Sequence, residues 1–305
     1  MKLLVVGAGA TGAYYGAVAR RGGAEVVLLA RGPHAQAMRD RGVLVRTPSG
    51  EFRVEARVVT GFAELGDEAF DVVFVAVKMG DLLGVLPDAV AHVAPGGALI
   101  TAQNGVEPEE LAAPLVPPEM LVGGVLFIGA SVPEPGVVVY RGMDTVSLGA
   151  ASPASAPVAQ RVAKELAAVG VNAGYVADLA KTRWQKLVWN NAWNSVTALT
   201  RLPCATAARI PGVRAVAEAT MREVVAVGRA HGVKLSDSII EAQLAAGEMV
   251  GDIQTSTLQD VLAGRRLEWD PLVGVVVRLG KRHGVPTPVN EVLAGLLEGL
   301  DRGSR

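Results

Sequence analysis

The sequence predicts an α/β fold in which a doubly wound parallel sheet fills the first half and helices fill the second. In the first half, apolar runs rich in β-branched residues alternate with helix-like segments, as in parallel strands joined by crossover helices. A glycine-rich turn directly follows the first apolar run, and strand-like runs nearly vanish after Asp178. We therefore expect an α/β domain over residues 1–176 and an all-helical domain over residues 177–305.

The composition excludes several classes of protein. The chain has 305 residues, of which 50% are hydrophobic and 19% charged, as expected for a globular protein with a sizeable core. A formal net charge of −1, without long runs of one sign, gives no support to a nucleic-acid or membrane-surface partner. The single Cys204 precludes an intrachain disulfide, and no uncharged apolar stretch reaches ~18 residues. We expect a cytoplasmic protein without nucleic-acid or membrane partners. The net charge is still compatible with a local basic pocket that binds a phosphate.

The predicted sheet starts at the N-terminus. The opening apolar run is short and leads into glycines, so we interpret it as a first strand and not as a signal peptide. Strands are predicted at 2–8, 25–31, 71–78 and 97–105, with helices between them at 11–22, 34–42 and 81–96. Three shorter strands, at 121–132, 136–142 and 145–150, are expected to complete the same sheet.

The second half reads as a series of helices. A linker of small residues at 150–157 precedes a helix at 158–170 and a short strand at 171–177. Asp178 is a suitable N-cap for a helix that contains residues 183–200. Helical periodicity then returns at 211–233, 236–249, 256–265, 269–285 and 287–303.

The turn after the first strand matches the dinucleotide-binding pattern G-x-G-x-x-G at Gly7, Ala8, Gly9, Ala10, Thr11 and Gly12. The first glycine permits the tight turn, the second lets a pyrophosphate approach the backbone, and the third lets the helix pack closely on the sheet. The helix N-terminus then offers N–H groups and partial positive charge to the phosphates. The sequence thus predicts a Rossmann-type cofactor site at this turn.

The end of the second strand indicates which dinucleotide binds. NAD sites usually carry a carboxylate there, bonded to the ribose 2′-hydroxyl. This chain instead has Arg31, whose guanidinium suits a 2′-phosphate. We expect NADP(H) as the cofactor, the alternative being that Arg31 is a solvated surface residue.

Three polar residues stand four apart in the apolar stretch 183–200. On a helix, Lys186, Asn190 and Asn194 would form one gently drifting stripe. Burying a lysine and two amides without partners is costly, so the stripe either faces a polar cleft or Lys186 extends to water. The two amides favour the cleft.

The order and spacing of several motifs resemble the ketopantoate reductase (2-dehydropantoate 2-reductase) family over nearly the whole chain. The motifs are GAGATG at 7–12, AVK ending at Lys78, QNG at 103–105, KLVWN at 186–190, STLQD at 256–260, EWD at 268–270 and TPVN at 287–290. The resemblance implies a Rossmann domain joined to a helical domain, and NADPH-dependent reduction of ketopantoate to pantoate for pantothenate and coenzyme A synthesis. Trp269 departs from the family, where an aliphatic residue is common.

The resemblance also implies roles for individual residues. Lys186 corresponds to the general acid and Glu268 to a glutamate that holds the substrate near its hydroxyl. Asn104 corresponds to an asparagine at the edge of nicotinamide and substrate, and Lys78 to a basic residue near the cofactor. Polar contacts to the substrate are implied for Asn190, Asn194 and Ser256.

Three functions remain in competition. The first is NADPH-dependent ketopantoate reduction; the second is reduction of another small 2-oxo acid on the same fold. The third is a non-catalytic NADP(H) sensor, against which the polar stripe argues because a sensor needs no proton donor. The sequence leaves the oligomeric state open, with a homodimer as one candidate.

Other residues have plainer interpretations. Cys204 is expected to pack in the core. Asp270 is expected to cap the helix starting near Pro271, the alternative being that it assists Glu268. The tryptophans of the 183–200 helix are expected to pack against neighbouring helices. The four histidines, His34, His92, His231 and His283, lack metal-ligand spacing, so no metal site is predicted.

Overall fold

The computed structural model describes residues 1–303, which form two compact units. The first unit holds Met1–Gln103 and Glu107–Leu179. The second holds the chain from Ala180 onward, together with the short segment Asn104–Val106. Each unit has a separate hydrophobic core.

A single ten-stranded sheet organises the first unit. Its strands are β1 Lys2–Val6, β2 Glu25–Leu29, β3 Val43–Thr47, β4 Gly50–Val54, β5 Arg57–Val59, β6 Phe70–Val75, β7 Val93–Thr101, β8 Leu121–Glu134, β9 Val137–Ala150 and β10 Ala173–Tyr175. Along the sheet the order is β4-β3-β9-β8-β7-β6-β1-β2-β5, and β10 also pairs with β9. All pairs are parallel except β3–β4 and β8–β9.

The central strands are nearly continuous apolar runs because both faces of the sheet are covered. In β1, Leu3 and Val5 belong to one core cluster, whereas Leu4 and Val6 belong to the other. A strand covered on one face would alternate apolar and polar residues, whereas one covered on both reads as a continuous apolar run. The fold class predicted from the sequence is confirmed.

Five helices belong to the first unit: α1 Ala10–Arg21, α2 Gly32–Arg41, α3 Leu82–Ala91, α4 Pro108–Ala112 and α5 Ala156–Ala168. Helix α1 follows β1 and α2 follows β2, so both helix N-termini lie beyond the carboxyl ends of neighbouring parallel strands. Open α/β sheets bind their ligands at such an edge.

Helices build the second unit. They are α6 Leu179–Trp189, α7 Ser195–Thr200, α8 Cys204–Ala208, α9 Pro211–Ala230, α10 Ser238–Met249, α11 Ser256–Leu262, α12 Val275–His283 and α13 Pro288–Gly303. Two π-helical turns, Asn190–Asn194 and Asp270–Gly274, interrupt this series. Among residues 1–303, no helix has the length and apolar character needed to cross a membrane.

Several predicted elements differ from those in the structure. The sheet has three additional strands, β3 to β5, where the sequence suggested none. The segments predicted at 136–142 and 145–150 form one strand, β9, which pairs antiparallel with β8 through an irregular register. The predicted helix over 183–200 is broken by the first π turn.

The core of the second unit is built around two tryptophans. Trp184 and Trp193 are almost fully buried, as predicted for this helix. Two glycines make room for them: a Cβ at Gly247 would lie 2.3 Å from Trp193, and one at Gly228 would lie 2.8 Å from Trp184. Larger residues at these positions would displace the indole rings.

A buried polar network joins three elements of the same unit. The Asn191 amide donates to Asn290 Oδ1 at 2.6 Å, and Thr220 Oγ1 donates to Asn191 Oδ1 at 2.6 Å. Glu223 accepts hydrogen bonds from the backbone N–H groups of Val289 and Asn290, both at 2.9 Å. Asn290 therefore holds the core together, and the TPVN motif is a helix start whose first turn is capped by Glu223.

Candidate active site

The glycine turn forms the floor of a cavity in the first unit. Gly7 has a φ of +93°, and a Cβ there would lie 2.7 Å from the Val77 backbone nitrogen. A Cβ at Gly12 would lie 2.4 Å from Gly7 O, so only glycine lets α1 pack this closely on the turn. A Cβ at Gly9 would meet nothing within 4 Å. The backbone at Gly9 is therefore open to a ligand.

Helix α1 presents its N-terminus beside this turn. Gly9 occupies the N-cap position and offers no side chain to the first turn of the helix, which contains Ala10, Thr11 and Gly12. The first N–H groups of a helix have no intrahelical acceptor and carry partial positive charge. The arrangement suits a pyrophosphate.

Two cationic side chains line the same cavity. Its volume is ≈ 570 Å³, and it is bounded by Gly7, Ala8 and Gly9 together with Arg31 and Lys78. Arg31 is exposed, occupies the N-cap of α2, and makes no hydrogen bond or ion pair within residues 1–303. The Arg31 guanidinium is thus available for an anionic group of a bound dinucleotide.

His34 also lines the cavity, which the sequence did not indicate. Its Nδ1 accepts the Gly136 N–H at 3.0 Å, so the neutral ring carries its proton on Nε2. Burial lowers the pKa of His34, which keeps the ring neutral. The sequence feature that could have indicated this placement is the position of His34 in the first turn of α2, three residues after Arg31.

Lys186 forms the centre of the polar site in the second unit. Its side chain is partly buried, and Nζ donates to Asn104 Oδ1 at 2.8 Å. Burial, and then the positive charge of Arg183, lower the pKa of Lys186 to about 7, while the Glu268 carboxylate acts in the opposite direction. At neutral pH the amine therefore exists in both protonation states, as suits a residue that transfers a proton.

The segment that carries Asn104 is held by the second unit. Gly105 has a φ of +99°, and a Cβ there would lie 2.8 Å from Pro271 O. Arg183 Nη1 donates to Gly105 O at 3.2 Å. Sequence reasoning missed Arg183, which has the spacing of a helical neighbour of Lys186 but no recognisable motif of its own.

The predicted amide stripe lies in the first π turn. Asn190 and Asn194 are both buried, at 8% and 4% exposure. Asn194 Nδ2 donates to Ser256 Oγ at 3.2 Å, whereas the Asn190 amide makes no hydrogen bond within the described residues. A buried amide without a protein partner is expected to bind something else. Single π turns inside α-helices occur frequently at functional sites.

Glu268 and Asp270 flank the start of the second π turn and have different surroundings. Glu268 is partly buried and acts electrostatically on Lys186. Asp270 forms an ion pair with Arg278, and the π turn has Trp269 at its N-cap position without a side-chain cap. The predicted capping role of Asp270 is wrong, because its carboxylate pairs with Arg278 of the following helix and does not accept a hydrogen bond from the first backbone N–H groups of the turn.

The remaining candidates are structural. Cys204 is buried at the start of α8, and burial raises the pKa of its thiol to about 12, as a packing residue requires. His231 and His283, distant in sequence, lie 3.1 Å apart between Nδ1 and Nε2. Within residues 1–303, however, no group of three or more His, Cys, Asp and Glu side chains is arranged to hold a metal ion.

Two family models cover both halves of the chain. The model of Ketopantoate reductase PanE/ApbA matches residues 3–153, and that of Ketopantoate reductase PanE/ApbA C terminal matches residues 178–301. The 2-dehydropantoate 2-reductase of Archaeoglobus fulgidus is 32% identical to this chain, covering 99% of it and 98% of the relative.

Solved structures agree with these matches. A PanE/ApbA family ketopantoate reductase from Ralstonia eutropha JMP134 superposes with a TM-score of 0.90 at 31% identity, covering 100% of this chain and 99% of its own. A D-mandelate dehydrogenase with NADH and anilino(oxo)acetate reaches a TM-score of 0.92 over 100% of this chain and 99% of its own, but at 22% identity it shares the fold alone. From the matched halves, the full-length relative and the superposition, the chain belongs to the ketopantoate reductase family of oxidoreductases.

Proposed function

We propose that the protein reduces 2-dehydropantoate to pantoate with NADPH, a step that serves pantothenate and coenzyme A synthesis. The observation that carries this proposal is the hydrogen bond of 2.8 Å between Lys186 Nζ and Asn104 Oδ1, made by an amine whose pKa is lowered to about 7. An amine with this pKa can stabilise a developing alkoxide and then protonate it.

Ketone reduction requires a hydride at the carbonyl carbon and a proton at the carbonyl oxygen. NADPH, when bound, supplies the hydride. Lys186 donates the proton. Asn104 Oδ1 accepts a hydrogen bond from one of the three N–H groups of the ammonium and so orients the amine. Gly7, Ala8 and Gly9 with Arg31 and Lys78 would hold the dinucleotide, as would the first turn of α1 at Ala10, Thr11 and Gly12.

The substrate carboxylate and hydroxyl need donors that do not compete with Lys186 as cations. The amides of Asn190 and Asn194, with the Ser256 hydroxyl, are neutral donors. Glu268 would accept a hydrogen bond from the substrate hydroxyl. These roles explain why buried amides interrupt an otherwise apolar helix.

A second candidate is reduction of another small 2-oxo acid by the same chemistry. The lysine and the neutral donors recognise features common to every 2-oxo acid, namely a ketone beside a carboxylate. A non-catalytic NADP(H)-sensing role is disfavoured by the Lys186 site, because a proton donor has no use in a sensor.

The function is tested by following NADPH oxidation at 340 nm with ketopantoate and a panel of other 2-oxo acids. The expected result is the highest kcat/KM for ketopantoate. A higher value for another acid would favour the second candidate, and no turnover with any acid would favour the sensor.

We also propose that the enzyme is a homodimer and that it is cytoplasmic. Light scattering of the same sample measures the mass of the particle and decides whether it is a homodimer.

A further inference from the structure

The segment Asn104–Val106 is anchored by the second unit, although the chain on both sides of it belongs to the first. Val106 packs against the helical core, and Gly105 lies directly against Pro271 O. Asn104 meets the Lys186 amine. The position of the Asn104 oxygen therefore depends on whatever holds this short segment in the second unit.

Arg183 provides one such anchor from within helix α6. Its side chain is buried, at 4% exposure, and Nη1 donates to Gly105 O at 3.2 Å. A buried guanidinium needs acceptors for its donors and stays charged at all ordinary pH values. Arg183 and Lys186 thus bind two adjacent residues of the segment from one face of the helix, three residues apart.

The charge of Arg183 has a second effect at the site. A permanent cation beside the Lys186 amine opposes protonation of that amine, and the Glu268 carboxylate favours it. Arg183 acts on the amine from α6, and Glu268 acts on it from the residues preceding the second π turn. Arginine is suited to this task because it cannot lose its proton to a neighbour.

We propose that Arg183 is a positioning residue of the active site, which fixes Asn104 against Lys186 through Gly105 and keeps a permanent positive charge next to the Lys186 amine. The catalytic part of this inference rests on the proposed function, whereas the electrostatic part does not. Arg183 acts on the reaction through Asn104 and Lys186, and we assign it no contact with the substrate.

The electrostatic part is tested without substrate or cofactor. Trace labelling with acetic anhydride over a pH series, followed by mass spectrometry of the peptide carrying Lys186, gives the pH at which the amine is half protonated. The proteins are wild type, Arg183→Lys, Arg183→Met and, as a matched control, the surface substitution Arg222→Met. Circular dichroism verifies that each variant is folded.

Wild type and Arg222→Met are expected to titrate near neutral pH, because both keep Arg183. In Arg183→Lys the midpoint should lie between those of wild type and Arg183→Met, because a buried lysine can lose its proton. In Arg183→Met the midpoint should rise by at least about one pH unit, a tenfold change in proton affinity. If Arg183→Met titrates together with wild type, the electrostatic part is overturned, and this holds whether or not the protein reduces ketopantoate.

The positioning part is tested with a double-mutant cycle on kcat. A residue that acts through Asn104 should matter little once Asn104 is gone. We expect Arg183→Met to lower kcat about tenfold in wild type but less than about twofold in Asn104→Ala, with Arg183→Lys intermediate. Equal factors in both backgrounds would assign Arg183 a structural role independent of Asn104 and overturn the proposal.

Discussion

At the scale of single residues, the Lys186 amine is partly withdrawn from water and set beside an amide, a guanidinium and a carboxylate. Burial and Arg183 oppose its protonation, whereas Glu268 favours it, and the pKa falls to about 7. Asn104 then fixes the direction of the amine. A stripe of three polar residues predicted a cleft, but the sequence did not indicate whether burial or Glu268 would dominate the pKa of Lys186, because burial depends on tertiary packing.

The first prediction concerns Lys186 in catalysis. Lys186→Met keeps the length of the side chain but removes the proton donor, so kcat should fall by ~10²–10⁴. Lys181→Met, an exposed position on the same helix, is the control and should retain activity. Steady-state kinetics at saturating NADPH measure both, and a fall of less than about tenfold for Lys186→Met would remove it as general acid.

The second prediction concerns stability as a function of pH. The folded-state pKa of Lys186 lies near 7, below its ordinary value of 10.5, so the unfolded state binds more protons between these two values. The free energy of unfolding therefore rises with pH through that window. The destabilisation caused by the buried amine is largest at and below neutral pH.

Lys186→Met should remove this cost. We expect a higher Tm than wild type at pH 7 and a difference that shrinks towards pH 10, because the native lysine is by then neutral as well. Differential scanning calorimetry at four or five pH values measures the trend. A variant that is less stable than wild type at pH 7 would show that the partners of the amine offset the whole free-energy cost of burying it.

At the scale of elements, the π turn Asn190–Asn194 adds one residue per turn to what would otherwise be a continuous helix from Leu179 to Thr200. Helical periodicity correctly predicted a helix here and the burial of its tryptophans. It did not predict the π turn, because local propensity carries no signal for an i→i+5 hydrogen bond that tertiary contacts stabilise. Asn191 illustrates this, since its partners Thr220 and Asn290 lie on other helices.

The same reasoning separates predicted from missed strands. The strands β1, β2, β6 and β7 were predicted because each is an apolar run covered on both faces. The strands β3 to β5 were missed because charged residues such as Arg46, Glu51 and Arg53 interrupt their apolar patterns. Two of them, β4 and β5, form the edges of the sheet. Edge strands often carry charge, which prevents pairing with other molecules. Their pattern therefore resembles that of loops.

The third prediction concerns the capping of α13. Glu223 accepts hydrogen bonds from Val289 N, Asn290 N and Asn290 Nδ2, so Glu223→Ala leaves the two part-buried backbone donors without their acceptor. We expect a loss of about 1–3 kcal/mol in the free energy of unfolding. The control, Glu218→Ala on the same helix, removes only the i,i+4 ion pairs with Arg214 and Arg222 and should cost less than about 1 kcal/mol.

Tryptophan fluorescence during urea unfolding suits this measurement. All four tryptophans, at positions 184, 189, 193 and 269, lie in the second unit, which contains both the substitution and its control. Equal losses for the two variants would indicate that Glu223 contributes no more than a surface charge.

At the scale of the whole molecule, the two units divide the chemistry between them. The cavity with the glycine turn and Arg31 is lined entirely by the first unit, whereas Lys186, Asn104, Asn194 and Ser256 all belong to the second. Each unit has a separate core. The glycine motif indicated the residues Gly7, Ala8 and Gly9 that line this cavity, whereas the sequence did not indicate His34, which lines it from another element.

The fourth prediction uses this division to test the cofactor. NADPH should protect the backbone amides of the first unit from hydrogen exchange, because a ligand that binds only the folded state stabilises it by about 2.7 kcal/mol at a hundredfold excess over Kd. NADH should protect them less at equal concentration, since Arg31 then has no 2′-phosphate to bind. In Arg31→Ala the advantage of NADPH should disappear, while protection by NADH stays unchanged. Arg21→Ala, on the neighbouring helix α1, serves as the control and should keep the advantage. Equal protection of the wild type by the two cofactors would mean that Arg31 is a solvated surface residue and that the enzyme does not distinguish NADPH from NADH through it.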